Sequence, residues 1–412
     1  MIKILLGGSP CTYWSIAQTN NRETKAEGMG WELFKNYLIA KEKFKPDLFL
    51  YENNKSAAQA IKDQIAEEFG VGVDPDVRFT YINSALVSAQ NRQRFYVTNF
   101  GDIEQPEDRG ILLKDILETG EDLTSNDKSF VLTASYNGAV AWNTIERAQR
   151  PMVAEPIAIN ATAEGDKART LMAGYYKYGT ATLLTNPGFT GGTTAAAEPV
   201  GTTKDGKAYC MTSGYSNGSE EKIGNYAAHT LEKGCKSMVA EPVNTTDGGK
   251  GHTIKAVSCA DGKVYTVYEI KDGQITIKGK QYPIKLVDGY YIIRKLTVKE
   301  CARLQTMPDD YCKAVSDSQA YKALGNGWTA EVIIHLLNHA LKDVPRDEEI
   351  VVLSMYDGIA TGRYCLDKMG FTNVTYHAYE IDKYPIMVAM DNYPDIIQHG
   401  DAFQVREDGW KI

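Results

Sequence analysis

Gly7-Gly8-Ser9-Pro10-Cys11 stands directly after the apolar run Ile2–Leu6. A strand ending in a glycine-rich turn delivers the next side chain to the rim of a sheet. Proline ahead of the cysteine stiffens that turn, so the thiol is placed where a nucleophile belongs. A buried structural cysteine explains the same five residues about as well when they are taken alone. Four more polar residues narrow the choice: Glu52, Asp357, Glu380 and Asp401 each follow an apolar run by three residues or fewer. In open α/β sheets, ligands bind outside the carboxyl ends of the strands. Any one of these residues could be a helix cap or a solvated turn, but together they compose a site.

The residue types point to a particular chemistry. A thiolate attacks an electron-poor ring carbon, while a carboxyl group such as Glu52 hydrogen-bonds or protonates the ring nitrogen that accumulates charge. In Gln90-Asn91-Arg92-Gln93-Arg94, the two arginines alternate at period two ahead of a strand. There they can hold a base carbonyl and favour a thiolate, although a solvated edge strand shows the same alternation. Asp357-Gly358-Ile359-Ala360-Thr361-Gly362 is a glycine-rich turn suited to close backbone approach by a nucleotide-like ligand. It lacks the Gly-x-Gly-x-x-Gly order and a phosphate-loop lysine, so neither a dinucleotide nor a triphosphate is indicated. Glu380 can take both hydroxyls of a ribose, and Asp401 can accept from an exocyclic amine. An adenosine without phosphates fits these residues, which leads to S-adenosylmethionine.

Elements that would position these groups are readable on either side of them. Ile2–Leu6, Asp47–Tyr51, Arg78–Ile82 and Phe95–Thr98 read as strands, with helical patterns over Gly30–Phe44 and from Ala57 to Phe69. Near the other end come helices at Thr297–Gln305, Trp328–Leu341, Arg363–Met369 and Tyr384–Tyr393. Strands are expected there at Ile350–Met355, Val374–Tyr379 and Ile396–Gln398. This alternation predicts an α/β fold with a mainly parallel sheet covered by helices. The 412 residues are enough for two domains. A net charge of −8 argues against indiscriminate nucleic-acid binding but leaves room for a local basic cleft. The first apolar run is too short for a signal peptide, and no run reaches membrane-spanning length. Seven scattered cysteines, with no Cys-x-x-Cys and no His-Glu-x-x-His, indicate neither a disulfide framework nor a metal site. A reduced, cytoplasmic protein is expected.

Between about 119 and 290 the texture shifts to Gly, Thr, Ala, Asn and Tyr, and a repeat emerges. Ala-Glu-Pro recurs at 154–156, 197–199 and 240–242, 43 residues apart each time. The first and third copies match further upstream, Thr144-Ile145-Glu146-Arg147 against Thr230-Leu231-Glu232-Lys233, each running into Met-Val-Ala-Glu-Pro. A fixed period with regular apolar content reads as three β-rich units rather than a spacer.

Taken together, these stretches resemble the cytosine-5 DNA methyltransferases over nearly the whole catalytic portion. Gly8-Ser9-Pro10-Cys11 is similar to that family's nucleophile motif, Glu52-Asn53 to its Glu-Asn motif, and Gln90-x-Arg92-x-Arg94 to its Gln-x-Arg-x-Arg motif. The stretch from Arg294 to Gln305, with Pro308-Asp309, resembles the part that packs against the recognition domain. Leu324-Gly325-Asn326-Gly327-Trp328 resembles the last motif, which closes over the cofactor. Ser354–Gly362 looks like the cofactor loop.

The resemblance implies that a cytosine is flipped out of double-stranded DNA and that Cys11 adds to ring carbon 6. Glu52 would contact N3 and the amino group, with Arg94 and Arg92 near the base and the thiolate. Carbon 5 would then take a methyl group from S-adenosylmethionine, leaving S-adenosylhomocysteine. Pro10, Asn326, Trp328, Asp357, Gly358, Ile359, Thr361, Gly362, Glu380, Ile381, Asp401 and Ala402 would hold the cofactor, with no metal and no membrane. Residues 1–118 and 314–412 would form the two halves of a Rossmann-like methyltransferase domain, and 119–313 an inserted β-rich target-recognition domain. Family members normally begin with the cofactor loop. Here it comes last, which implies a circular permutation broken between Gly400-Asp401 and the Ile2–Leu6 strand. A monomer is expected, in the setting of restriction–modification or protection of phage or bacterial DNA. A tRNA cytosine-5 methyltransferase and a catalytically silent DNA-binding homologue are the alternatives, and the recognition sequence is not readable from these residues.

Overall fold

Ile4, Leu5 and Leu6 are all fully buried although successive strand residues face opposite sides. Ile4 and Leu6 join one hydrophobic cluster and Leu5 another, so their sheet is covered on both faces. The computed structural model describes residues 1–16, 22–124, 126–160, 197–202, 208–212, 237–242, 254–258 and 264–409. Within them, β1 (Ile2–Gly7), β2 (Leu48–Asn54), β3 (Arg78–Asn83) and β4 (Gln93–Thr98) are accompanied by α1 (Met29–Phe44) and α2 (Gln59–Phe69). Then come α3 (Leu113–Ile116), β5 (Glu121–Asp122), α4 (Ala141–Arg147), β6 (Met152–Asn160), β7 (Ala197–Thr202) and β8 (Ala208–Thr212). They are followed by β9 (Ser237–Pro242), β10 (Ile254–Ser258), β11 (Val264–Lys271), β12 (Gln274–Ile277), β13 (Lys280–Pro283) and β14 (Gly289–Lys295). The chain then builds α5 (Val298–Leu304), α6 (Asp317–Asn326), α7 (Ala330–Leu341), β15 (Ile350–Met355), α8 (Thr361–Lys368), β16 (Val374–Tyr379), α9 (Lys383–Asn392) and β17 (Ile397–Gly400).

The first sheet runs β17-β16-β15-β1-β2-β4-β3. Its strands are parallel from β17 to β2, and β4 runs antiparallel to both β2 and β3. The sheet is therefore mixed, with an antiparallel edge where strand–helix alternation gave no warning of one. β1 lies between β2 and β15, so strands from opposite ends of the chain are neighbours. One face buries Phe34, Tyr37, Phe49, Tyr51 and Phe69 as a cluster of edge-on, tilted and stacked rings. The other buries Ile333, Leu336 and Leu337 of α7, whose apolar residues recur at helical spacing. β2 extends to Asn54, so Glu52 lies within the strand instead of beyond it, and β4 begins early enough to include Arg94. Helix α6 is an element that the sequence pattern does not announce.

The second sheet has the order β10-β9-β6-β14-β11-β12-β13, with β5 on β6, while among the described residues β7 and β8 pair only with each other. Each Ala-Glu-Pro copy falls on a strand, in β6, β7 and β9. Most of the remaining repeat sequence, including Thr230–Lys233, lies outside the described residues.

This sheet ends at Lys295. Past it, Leu296, Cys301, Ala302, Leu304, Met307 and Tyr311 bury in the same cluster as Ile4 and Leu6. The same cluster takes in Val153, Ala154 and Ile270 of the second sheet, so the segment 296–313 lies where the cores of the two sheets meet. Arg294 is the tie between the two regions. It pairs with Glu155 of β6 at 2.6 Å and with Glu300 of α5 at 2.8 Å, and donates to the Thr119 carbonyl. Burial works against its charge, but the bonds to Glu300 and Glu155 outweigh that and hold its pKa above the ordinary value. Arg294→Met leaves two buried carboxylates facing each other, Glu300 fully so. The expected loss is about 3–5 kcal/mol, read as a fall in the urea midpoint.

Candidate active site

The turn after β1 is shaped by what presses on it. A Cβ on Gly8 would lie 2.4 Å from the Glu52 carbonyl oxygen, so only glycine lets this turn run so close to β2. Ser9 is buried; its hydroxyl sits 2.7 Å from the Tyr51 hydroxyl, and Asn53 Nδ2 donates to the Ser9 carbonyl at 2.9 Å. Three neighbours from β2 thus pin the turn before Cys11 starts a short 3₁₀ segment, Cys11–Tyr13. The Cys11 carbonyl accepts from the amides of Trp14 and Ser15, and Trp14 is fully buried beside Trp31 and Phe34. Cys11 is only part-buried, whereas Cys301, Cys312 and Cys365 are buried, and burial pushes their thiol pKa values up, that of Cys312 to about 12.

Glu52 is held at both oxygens. Arg94 Nε approaches Oε1 at 2.8 Å, and Trp328 Nε1 donates to Oε2 at 3.0 Å. Arg92 and Arg94 do not act as a pair. The buried Arg92 guanidinium donates to the carbonyls of Leu132 at 3.0 Å and Gly327 at 2.7 Å, and reaches that of Gly325 at 3.3 Å. Burial and the neighbouring Arg94 charge lower its pKa to about 9, with Glu52 opposing, so it stays charged at neutral pH. Arg92 is therefore a clamp on the segment 325–327, whereas Arg94 is the arginine that pairs with Glu52. Gln90 and Gln305 complete this buried framework. Gln90 Nε2 donates to the Leu304 carbonyl and to Gln305 Oε1, and Gln305 Nε2 donates to the Leu324 carbonyl at 2.6 Å. Gly325 belongs to it as well: a Cβ there would lie 2.3 Å from the carbonyl carbon of Thr133.

The loop after β15 has Tyr356, Gly358 and Ala360 all in the left-handed region, at φ 59°, 63° and 59°. For the two non-glycine residues this is strained backbone of the kind that collects at functional sites. The Tyr356 hydroxyl donates to the Leu33 carbonyl, and Tyr311 donates to that of Ile359, so the loop is tied down on both sides. Asp357 Oδ1 accepts from the Tyr376 hydroxyl at 2.7 Å, while Oδ2 is buried without a hydrogen-bond partner. Burial pushes its pKa up to about 6, against the bonds from Ser354 and Tyr376. At the end of β16, Glu380 Oε2 accepts from the Gly358 amide, and Oε1 from those of Ile381 and Asp382. Asp401 Oδ1 accepts from the Phe403 amide.

One cavity of about 510 Å³ gathers these groups. Pro10, Cys11, Glu52, Arg92 and Arg94 line it together with Asn326 and Trp328. So do Asp357, Gly358, Ile359, Thr361, Glu380, Ile381, Asp401 and Ala402. Gly362 is not among the lining residues. A Cβ there would meet Leu6 Cδ1 at 2.6 Å and the Tyr376 hydroxyl at 2.7 Å, so this glycine packs α8 onto the sheet. Sequence reasoning missed Tyr356, Tyr376, the link from Trp328 to Glu52, and Lys322, which lines the cavity and pairs with Asp382 at 2.7 Å; none of these has a spacing signal. Among the described residues no group of three or more His, Cys, Asp or Glu could hold a metal ion. No described helix is long and apolar enough to cross a membrane.

Comparison with known proteins agrees with this geometry. The sequence model of the C-5 cytosine-specific DNA methylase family matches residues 1–342. The orphan methyltransferase M.SPRI of Bacillus phage SPR is 27% identical over 372 residues, 80% of each chain. The type II methyltransferase M.BanI of Aneurinibacillus aneurinilyticus is 50% identical over 40 residues, 10% of this chain and 9% of that protein. Among solved structures, the Entamoeba histolytica methyltransferase EhMeth matches 83% of this chain and 78% of its own, at 10% identity and TM-score 0.32, too loose a likeness to build on. The chain belongs to the C-5 cytosine-specific DNA methylase family and is a DNA cytosine methyltransferase.

Proposed function

We propose that the protein transfers a methyl group from S-adenosylmethionine to carbon 5 of a cytosine flipped out of a specific duplex DNA sequence, through a transient bond to Cys11. The observation that carries this reading is the single cavity uniting Cys11, Glu52 and Arg94 with Asp357, Glu380 and Asp401. Its size lies within the roughly 300–1,000 Å³ usual for small-molecule sites. The residues suit that cofactor. Asp357 Oδ2 is a buried acceptor without a donor, as a cationic amino group would require. Glu380 is fixed by three backbone amides and keeps lone pairs for ribose hydroxyls. Asp401 is steadied through Oδ1, which leaves Oδ2 for an exocyclic amine. Ile381, 73% exposed, gives the cavity an apolar surface for a base. When bound, S-adenosylmethionine supplies an electrophilic methyl group and leaves as S-adenosylhomocysteine.

The chain's own groups do the rest. The Cys11 thiolate adds to carbon 6 of the flipped base, and the ring's electron pair shifts toward carbon 5 and N3. Glu52, carrying a proton on one oxygen, donates it to N3 as negative charge grows there, while its other oxygen accepts from the exocyclic amino group. We assign the base carbonyl to Arg94, since Arg92 is committed to backbone carbonyls. A water molecule then takes the proton from carbon 5, the double bond to carbon 6 re-forms, and Cys11 leaves as a thiolate. The β-rich segment 119–313 is the part we assign to reading the duplex.

We also read the motif order as a circular permutation. Supporting it, β15, β16 and β17 lie beyond the residues that the family's sequence model matches, yet extend the sheet directly from β1. Protection or modification of phage or bacterial DNA is the setting suggested by the relatives' names.

Purified protein with methyl-labelled S-adenosylmethionine is expected to label duplex DNA but not tRNA. Bisulfite sequencing of DNA from expressing cells should then show protected cytosines within one or a few short sequences. Label in tRNA alone would overturn the substrate assignment. Bound cofactor without any transfer would make the protein a silent homologue.

A further inference from the structure

Trp328 belongs to two places at once. It lines the cavity that also holds Glu380 and Asp401, and its indole Nε1–H donates to Glu52 Oε2 at 3.0 Å across 276 residues of sequence. Tryptophan has one donor and no acceptor on its ring, so this bond has a single direction and its partner is the carboxylate. Arg94 engages the other oxygen at 2.8 Å. Glu52 is thereby held from two sides, and each oxygen keeps a lone pair for a further donor. Trp328 cannot drift from this position easily. Arg92 Nη2 grips the Gly327 carbonyl at 2.7 Å, Gln305 Nε2 grips that of Leu324 at 2.6 Å, and the Thr329 hydroxyl donates to Gln305 Oε1 at 2.9 Å. Arg92, Gln305 and Thr329 are all buried.

We infer that Trp328 is a positioning residue for methyl transfer: its indole N–H aims Glu52 at the base, and Arg92 acts behind it by clamping Gly327. This rests on the reading of Glu52 as the carboxylate that contacts the base. It assigns Trp328 a task beyond the cofactor contact expected from its motif.

Trp328→Phe keeps an aromatic ring and removes the N–H. Single-turnover methyl transfer at saturating S-adenosylmethionine and duplex DNA is expected to fall about 10- to 100-fold, the worth of a hydrogen bond to a charged group. Calorimetric affinity for S-adenosylhomocysteine should change by less than about threefold. A double-mutant cycle separates aiming from a general structural role. In a Glu52→Gln background, where the charge-assisted bond is already lost, Trp328→Phe should cost less than about threefold more. Arg92→Lys, which cannot fork across two carbonyls, should give a smaller loss that likewise shrinks in that background. Urea midpoints near the wild-type value establish that the variants are folded, and Arg92→Lys carries the test if Trp328→Phe is not. Full, additive losses in both backgrounds would overturn the inference. So would a loss explained wholly by weaker cofactor binding with the saturated rate unchanged. If the wild-type protein binds cofactor yet transfers no methyl group to cytosine, the reading of Glu52 itself falls. An additive cycle with an active wild type refutes the aiming role alone.

Discussion

Cys11→Ser is expected to lower methyl transfer to duplex DNA by on the order of a thousandfold or more, because a hydroxyl is far less often ionised than a thiol and a far weaker nucleophile. The substitution leaves the turn intact. Its shape depends on the Ser9 and Tyr51 hydroxyls, Asn53 Nδ2 and the Cys11 carbonyl, not on the sulfur. Cofactor binding should therefore persist, which separates lost chemistry from lost structure. DNA carrying 5-fluorocytosine provides an independent readout. Fluorine at carbon 5 leaves no proton to remove, so the wild-type protein should stop as a covalent adduct that survives denaturation, and the serine variant should form none. Activity within tenfold of wild type, or an adduct mapped to another residue, would remove Cys11 from the mechanism.

Asp357→Asn is expected to divide stability from function. The carboxyl is buried, one oxygen has no partner, and its pKa is pushed up to about 6 from 3.8, chiefly by burial. A raised carboxyl pKa means that the folded state holds its proton more tightly than the unfolded chain does. Its contribution is fully present below about pH 4, is lost as pH rises through about 6, and stays lost above that. A shift of two pKa units corresponds to roughly 3 kcal/mol, an upper bound on the gain from a neutral amide at pH 7.5. The urea midpoint of Asp357→Asn should thus exceed that of the wild type at pH 7.5 and converge with it near pH 4. The same change removes the negative charge that we assign to a cationic group of the cofactor, so affinity for S-adenosylmethionine should fall by about 10- to 100-fold. A variant that binds cofactor normally would place the cationic group elsewhere. A variant no more stable at pH 7.5 would mean that the carboxylate is solvated in the empty cavity.

Much of this architecture is legible in the sequence because its signals are local. Ile350–Met355 is apolar apart from Ser354 and is buried along its whole length, as a strand covered on both faces must be, and Ile2–Leu6 is interrupted only at Lys3. The two arginines show where local reading stops. Arg92 and Arg94 alternate in sequence, yet one grips three backbone carbonyls and the other pairs with Glu52. Their difference comes from β4, which begins between them, and from the segment 325–327, which arrives from more than two hundred residues away. Gly362 is a similar case. Within a glycine-rich turn it reads as a ligand contact, but α8 uses it to approach Leu6 and Tyr376. The antiparallel edge formed by β4 and β3 also escaped notice, because a strand's direction is set by its connections and not by its composition.

Residue chemistry and spacing single out Cys11, Glu52 and the acidic strand ends as candidates, since each follows an apolar run, and the arginine pair by its alternation ahead of a strand. Those properties follow from side-chain type and short-range spacing, which the chain carries whether or not it is folded. Tertiary structure decides the partnerships. Strands from the two ends of the chain become neighbours in one sheet, so Cys11 and Asp357 line one cavity. Trp328 meets Glu52, and Arg92 meets the backbone carbonyl of Gly327. Each of these depends on contacts between distant segments, where burial forces polar groups to find whichever partners the packing brings within reach.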